Sequence, residues 1–159
     1  MRLINLPTFW TILVDIIAWF IIHLSVVFFM VRIPAERFDP RSRLFRIRRW
    51  EKQGRFYRKY FRIKKWKDYL PDGAPLLGNR GFPKKELREK SIAYLQTFLV
   101  ETCRAELTHW LTMAFAPFFF LWNTPWVGFF MVFYISLENL PLIMAQRYNR
   151  SRLSSILAK

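Results

Sequence analysis

FWTILVDIIAWFIIHLSVVFFMV, from Phe9 to Val31, decides the architecture: it holds 23 residues, and only Asp15 and His23 interrupt it with ionisable groups. A helix rises ~1.5 Å per residue, so the run covers the ~30 Å hydrocarbon core of a bilayer with some tilt. We read residues 9–31 as a first transmembrane helix. A cleaved signal peptide is the alternative, but the apolar run is too long for one. The residues before it carry only Arg2 as a basic charge, and no small-x-small pattern precedes Arg32.

The rest of the chain repeats this segregation of grease from charge. A composition of 53% hydrophobic and 19% aromatic residues beside a net charge of +15 fits a soluble fold of 159 residues poorly. A second apolar block runs over residues 105–122 and a third over 125–145, with only Asn123-Thr124 between them. Thr124 suits an N-cap and Pro125 the first turn of the next helix, so the two blocks predict a tight helical hairpin. Pro117 and Pro141 predict kinks. With Pro117 in its middle, the second block reads either as a full span or as a re-entrant pair of half-helices. The expected fold is thus an all-α integral membrane protein, a single membrane domain over residues 1–159. It has about three transmembrane helices and an interfacial helix on the cytoplasmic side.

Orientation follows from the basic residues. Residues 32–90 hold 20 of the 26 lysines and arginines, and Arg147, Arg150, Arg152 and Lys159 follow the third block. The positive-inside rule places both groups in the cytoplasm, which one span before the central segment and two after it satisfy. The uncharged Asn123-Thr124 turn is left outside. Within the central segment, RSRLFRIRRWEKQGRFYRKYFRIKKWKDYL (41–70) interleaves cations with aromatic rings. Phe56, Tyr60 and Ile63 recur at helical spacing, with Tyr57 and Phe61 alongside, which predicts a basic-aromatic helix lying among lipid headgroups. Each cation there contributes ~1 kcal/mol of attraction to an anionic leaflet. The same interleaving serves single-stranded nucleic acid, but a neighbouring membrane span favours lipid, and no nucleic-acid partner is expected. Pro71-Asp72-Gly73 opens a loop that runs to Pro83.

Chemistry concentrates in ETCRAELTHW, Glu101–Trp110, where two carboxylates, a guanidinium and an imidazole crowd the threshold of an apolar block. Such groups are expensive at bilayer depth and usually face a functional interior. On a helix at ~100° per residue, with Glu101 as origin, Arg104 falls at about 300°, Glu106 at about 140° and His109 at about 80°. Glu101, Glu106 and His109 thus share a face with Arg104 on its flank, and an imidazole oriented by a carboxylate is the usual general base for a hydroxyl. The structural alternative is a polar pair gluing helices together, with Glu101–Arg104 as an interface salt bridge. Glu-x-x-His also occurs in di-metal bundles, but those need two such motifs and two further carboxylates, so no metal site is expected. Cys103, at about 200°, points away from His109, and a single cysteine rules out an intramolecular disulfide.

Gln146-Arg-Tyr-Asn-Arg-Ser-Arg152 sets three arginines in six residues at a helix exit. Their planar forks suit an anion clamp, and a stop-transfer anchor explains the charge equally well. Counting ~1.5 Å per residue from the cytoplasmic boundary puts His109 ~6 Å deep and Glu138 ~10 Å deep on the returning helix, so that Glu138, Asn139 and His109 are expected to converge.

These residues resemble a known family, the glycosyl-4,4'-diaponeurosporenoate acyltransferases. The resemblance rests on Arg32-Ile-Pro34, the Gly54-Arg-Phe to Trp66-Lys67 region, Asp72-Gly73, Arg104-Ala-Glu-Leu-Thr-His-Trp110, Pro141, Gln146-Arg-Tyr-Asn-Arg150 and Arg152-Leu153. It covers roughly residues 32–153, and the family has no fixed acid at the positions of Asp15 and Glu138. It implies an enzyme of the bacterial plasma membrane that esterifies a sugar hydroxyl of a glycosylated carotenoid lipid with a fatty acyl chain. In that setting His109, Glu106 and Glu101 become candidate catalytic residues. Arg104, Glu138, Asn139, Gln146, Arg147, Tyr148, Asn149, Arg150 and Arg152 become candidates for substrate binding. Direct transfer needs no Ser or Cys nucleophile and no bound cofactor. The implied co-substrate is acyl-CoA or an acyl carrier protein, both acidic and drawn to a central segment with 20 basic and 7 acidic residues. The rival readings are a non-catalytic membrane-surface adaptor, which has no use for a buried Glu106 and His109, and another small lipid-modifying membrane enzyme.

Overall fold

The computed structural model describes residues 4–84 and 87–158. Arg2 and Lys159, counted above in the flanking charges, and Lys85 and Glu86 of the central segment lie outside the described residues. Every regular element among the described residues is helical: α1 (Thr8–Met30), α2 (Arg55–Tyr60), α3 (Ile92–Ala114), α4 (Pro125–Leu157) and six 3-10 segments. The chain divides into two compact units, one of residues 1–32 and 108–140, the other of residues 33–107 and 141–159.

The first unit contains α1, the end of α3 and the first half of α4. Two helices, α1 and α4, are long and apolar enough to cross a membrane. Many large apolar side chains of α1 face outward, among them Phe9, Ile16, Phe20 and Phe28, a surface that water solvates poorly. Inside, Phe119 and Ile135 form a core with Trp19, Ile22 and Met131. Asp15, the acid that interrupts the first apolar run, accepts hydrogen bonds from Trp122 Nε1 at 2.8 Å and Asn123 Nδ2 at 2.6 Å. A polar group in an apolar helix is thereby satisfied. The α1 C-terminus is closed by Arg32, whose guanidinium donates to the Phe28 carbonyl at 2.9 Å. At the hairpin, Thr124 Oγ1 accepts from the Val127 N–H at 3.4 Å and α4 starts at Pro125. Gly128 is required there, because a Cβ would lie 2.4 Å from the Phe120 ring.

Two expectations are revised by the elements themselves. The second apolar block does not form one helix over 105–122. Instead α3 begins at Ile92, where Ser91 Oγ accepts from the Tyr94 N–H at 3.3 Å, and ends at Ala114. A 3-10 segment, Ala116–Leu121, follows with Pro117 in its first turn, since proline removes the N–H that would continue the ladder. Pro141, by contrast, lies inside a continuous α4 that carries Gln146–Arg152 as helix.

The second revision concerns residues 41–70, which do not form a continuous amphipathic helix. Lys52, Gln53 and Gly54 have φ of 46°, 54° and 84°, and Arg62 has 48°, so left-handed residues cut the segment to the six residues of α2. The cuts turn Tyr57 and Ile63 inward against Tyr148, with Phe56, Trp66 and Met144 around them. A second small core joins Leu95 and Phe98 to Leu153. Gly54 is fitted to its place twice over: its φ lies in the left-handed region, and a Cβ would sit 3.1 Å from the Tyr148 ring.

Candidate functional site

The unit of residues 33–107 and 141–159 holds a network of buried charge. Glu106 on α3 accepts from Arg147 Nη1 at 2.8 Å through Oε1 and from Arg150 Nη2 through Oε2. Arg147 spans two carboxylates, because its Nη2 donates to Glu51 as well as to the Arg46 carbonyl at 3.3 Å. Glu51 is held further by the Arg48 N–H at 3.0 Å and by the Ser151 hydroxyl at 3.2 Å. Arg150 also donates to Cys103 Sγ at 3.3 Å. Glu51, Glu106 and Arg150 expose 0%, 2% and 1% of their surface. Two carboxylates against two guanidinium groups make the cluster formally neutral, the condition under which buried charge persists. Burial first, and the Glu51 charge second, push the neighbouring Tyr57 hydroxyl up to about 12.

Glu101 and Arg104 pair on one turn of α3 at 3.1 Å. Arg104 also donates to the Ile33 carbonyl at 2.6 Å and lies 4.7 Å over the Phe38 ring. Near them Lys84 is largely desolvated, which lowers its pKa from the usual amine value against the opposing pull of Glu101 and Asp72. Of the remaining C-terminal candidates, Gln146 and Tyr148 are buried, Arg152 is exposed, and Asn149 Nδ2 lies 3.4 Å from the Lys84 carbonyl oxygen.

His109 belongs to the other unit. Its Nδ1 lies 2.9 Å from Asn139 Oδ1, and Asn139 Nδ2 donates to the Ile135 carbonyl at 2.9 Å. The second bond fixes the amide: a carbonyl only accepts, so Nδ2 must face Ile135 and Oδ1 must face the imidazole. In the neutral ring Nδ1 then carries the proton and Nε2 the basic lone pair. Asn139 is fully buried, so its rotamer is held by packing. Glu138, its neighbour, is half-buried, and its Oε2 is buried without a hydrogen-bond partner.

The structure therefore brings together His109 with Asn139, Glu101 with Arg104, and Glu106 with Arg147 and Arg150. Two of the three arginines of the C-terminal motif, Arg147 and Arg150, serve protein carboxylates, and the histidine pairs with an amide. Sequence reasoning missed Glu51. Its only signal was to be the lone acid in the cationic run Arg48–Lys52, a position where a buried counter-ion is expected.

The described residues define a small helical protein with two membrane-length helices and an imidazole paired through Nδ1 with a buried amide. The family model for glycosyl-4,4'-diaponeurosporenoate acyltransferase matches residues 40–159. A protein of that name from Staphylococcus haemolyticus (strain JCSC1435) is 38% identical over 136 residues, covering 85% of this chain and 78% of its own. Two from Staphylococcus aureus, strains MRSA252 and N315, are 34% and 32% identical, each covering 87% of this chain and 83% of its own. No solved structure matches. The chain belongs to the glycosyl-4,4'-diaponeurosporenoate acyltransferase family and is an acyltransferase.

Proposed function

We propose that this protein transfers a fatty acyl chain from a thioester donor to a sugar hydroxyl of a glycosylated carotenoid lipid, with His109 as general base. The observation that supports this is the Asn139-oriented tautomer, which places the basic lone pair on Nε2. The sugar O–H gives its proton to Nε2 as its oxygen attacks the thioester carbonyl. The tetrahedral intermediate collapses, the C–S bond breaks, and the imidazolium returns the proton to the departing thiolate. The products are an ester and a thiol, and His109 is restored. Asn139 acts as a positioning residue, holding the tautomer as the carboxylate of a hydrolase triad does. Glu106 and Glu51 are assigned to fixing Arg147 and Arg150, and so to holding the Gln146–Arg152 helix against the basic segment.

In this reading the donor is acyl-CoA or acyl carrier protein, approaching from the cytoplasm, while acyl chain and polyene stay in lipid. The chain crosses the plasma membrane about three times, with α3 and the following 3-10 segment as the second crossing. Its basic segment and C-terminus are cytoplasmic, as the charge distribution favours. Residues 41–70 rest at the headgroup level with Trp50, Tyr60 and Tyr69 exposed. An open cleft of about 680 Å³ lined by Trp50, Lys52, Arg55, Phe56, Arg58, Lys59 and Tyr60 supports that placement.

The test is to incubate purified protein in detergent with palmitoyl-CoA and glycosylated diaponeurosporenoate and to follow the acceptor by mass spectrometry. The reading predicts a mass gain of one acyl group that requires donor and protein together. No ester from wild-type protein under any donor, acyl carrier protein included, would overturn it.

A further inference from the structure

A pocket of about 210 Å³ in the unit of residues 33–107 and 141–159 is lined by Lys67, Lys84, Leu87, Phe98, Tyr148, Asn149, Arg152 and Leu153. Among the described residues, three cations reach it from three separate parts of the chain and no carboxylate lines it. The described acids that act on these cations do so from outside the lining. Asp68 pairs with Lys67 at 2.7 Å through an exposed side chain, which offsets that charge only in part. Asp72 accepts a hydrogen bond from the Lys84 backbone N–H at 3.2 Å, and its charge and that of Glu101 act on the Lys84 amine, opposed by Arg104. The volume falls below the ~300 Å³ at which sites for whole small molecules begin, so it suits one head group of a larger ligand. Arg152 supplies a planar fork, Lys67 and Lys84 supply point charges, and Asn149 adds an amide. That is the donor set that recognises tetrahedral oxyanions.

We infer that this pocket binds a phosphoryl group, carried either by the pantetheine arm of the acyl donor or by a phospholipid. The inference refines the donor side of the acyltransferase reading and rests on it only for that first source. Lys84 has a particular part. Its Nζ donates to the Phe82 carbonyl at 2.7 Å and its surroundings strip water from the amine, so a bound phosphoryl oxygen replaces lost solvation. The pocket also explains the division among the three arginines of the C-terminal motif: Arg147 and Arg150 hold internal carboxylates, while Arg152 alone lines the pocket.

Native mass spectrometry of the full chain from a neutral detergent tests this, with coenzyme A titrated in one arm and phosphatidylglycerol in the other. Lys84→Gln with Arg152→Gln should weaken at least one ligand by about tenfold or more, as expected for loss of charge-assisted hydrogen bonds. Arg37→Gln with Lys90→Gln, equal in charge removed, exposed, and outside both the pocket and residues 41–70, should change either by about twofold or less. Loss of coenzyme A identifies the donor, and loss of phosphatidylglycerol a lipid head group. If the double variant does not stay folded, Arg152→Gln alone carries the test, since that side chain is exposed. Wild-type affinity of the folded variant for both ligands overturns the inference. Failure of the acyl-transfer reading looks different: wild-type protein binds coenzyme A through these residues but forms no ester.

Discussion

Glu106 and His109 stand three residues apart in sequence, yet they belong to regions built on opposite principles. Around Glu106, two carboxylates and two guanidinium groups cancel, three of them buried and Arg147 part-buried, and most of their polar atoms are tied to another part of the chain. Around His109, an imidazole meets a neutral amide, and the amide orientation sets which ring nitrogen faces it as donor. The first arrangement resists change, because removing a partner strands a charge in a medium that cannot solvate it. The second costs little to assemble and determines a protonation pattern. The lesson is that burial of an ionisable group does not itself mark chemistry. What marks it is whether the group's partners leave it a proton to exchange.

The sharpest way to break this comparison is to remove Glu106. Glu106→Ala leaves Arg150 without its buried counter-ion, and the expected loss is about 3–5 kcal/mol of stability, visible as a lowered unfolding midpoint in detergent. A variant with wild-type stability would mean that the cluster does not hold the fold. Asn139 is next. Asn139→Leu should lower turnover by about 10–10²-fold by releasing the tautomer, while Asn139→Asp, which keeps an acceptor opposite Nδ1, should retain more activity. Equal losses in both variants would point to packing alone.

The contrast between the regions also explains what could be read in advance. The α1 helix was legible because an apolar run broken only at Asp15 and His23 reads as a helix of membrane-crossing length, and the Asn123-Thr124 turn because capping chemistry is local. The start of α3 at Ile92 was not, since Gln96, Thr97 and Glu101 dilute the hydropathy of a helix whose Leu95 and Phe98 nevertheless pack on Leu153. Residues 41–70 carried a genuine helical period, but Lys52 and Gln53 have no preference for left-handed backbone that would announce the break. Glu51 and Arg147 lie 96 positions apart, a pairing that no local pattern encodes. The partner of His109 was read as a carboxylate, whereas it is the Asn139 amide, because helical phase places Glu106 close by and says nothing of a helix that returns 30 residues later.

Two smaller effects sharpen the description of the basic region. Gly54→Ala forces a Cβ onto a left-handed residue and against Tyr148, for an expected cost of about 1–2 kcal/mol in the thermal unfolding midpoint. No change would mean that the Gly54–Tyr148 contact is loose. The smallest effect is a titration. Tyr57 is pushed from its usual value near 10 up to about 12 by burial and then by Glu51. Its folded value lies above its unfolded one, so the stabilisation is complete below about pH 10 and is lost as pH rises towards 12. Absorbance at alkaline pH should show a late-titrating phenol that Tyr57→Phe removes. A late phenol that persists in the variant contradicts this placement.

The central claim is that His109 exchanges the proton and contributes little to holding the fold. The direct measurement is product formation and thermal unfolding of one preparation of His109→Ala beside wild type. The account predicts turnover lower by about 10²–10⁴-fold, the range of general acid–base catalysis, with an unfolding midpoint near that of wild type. Wild-type turnover in the folded variant would contradict it.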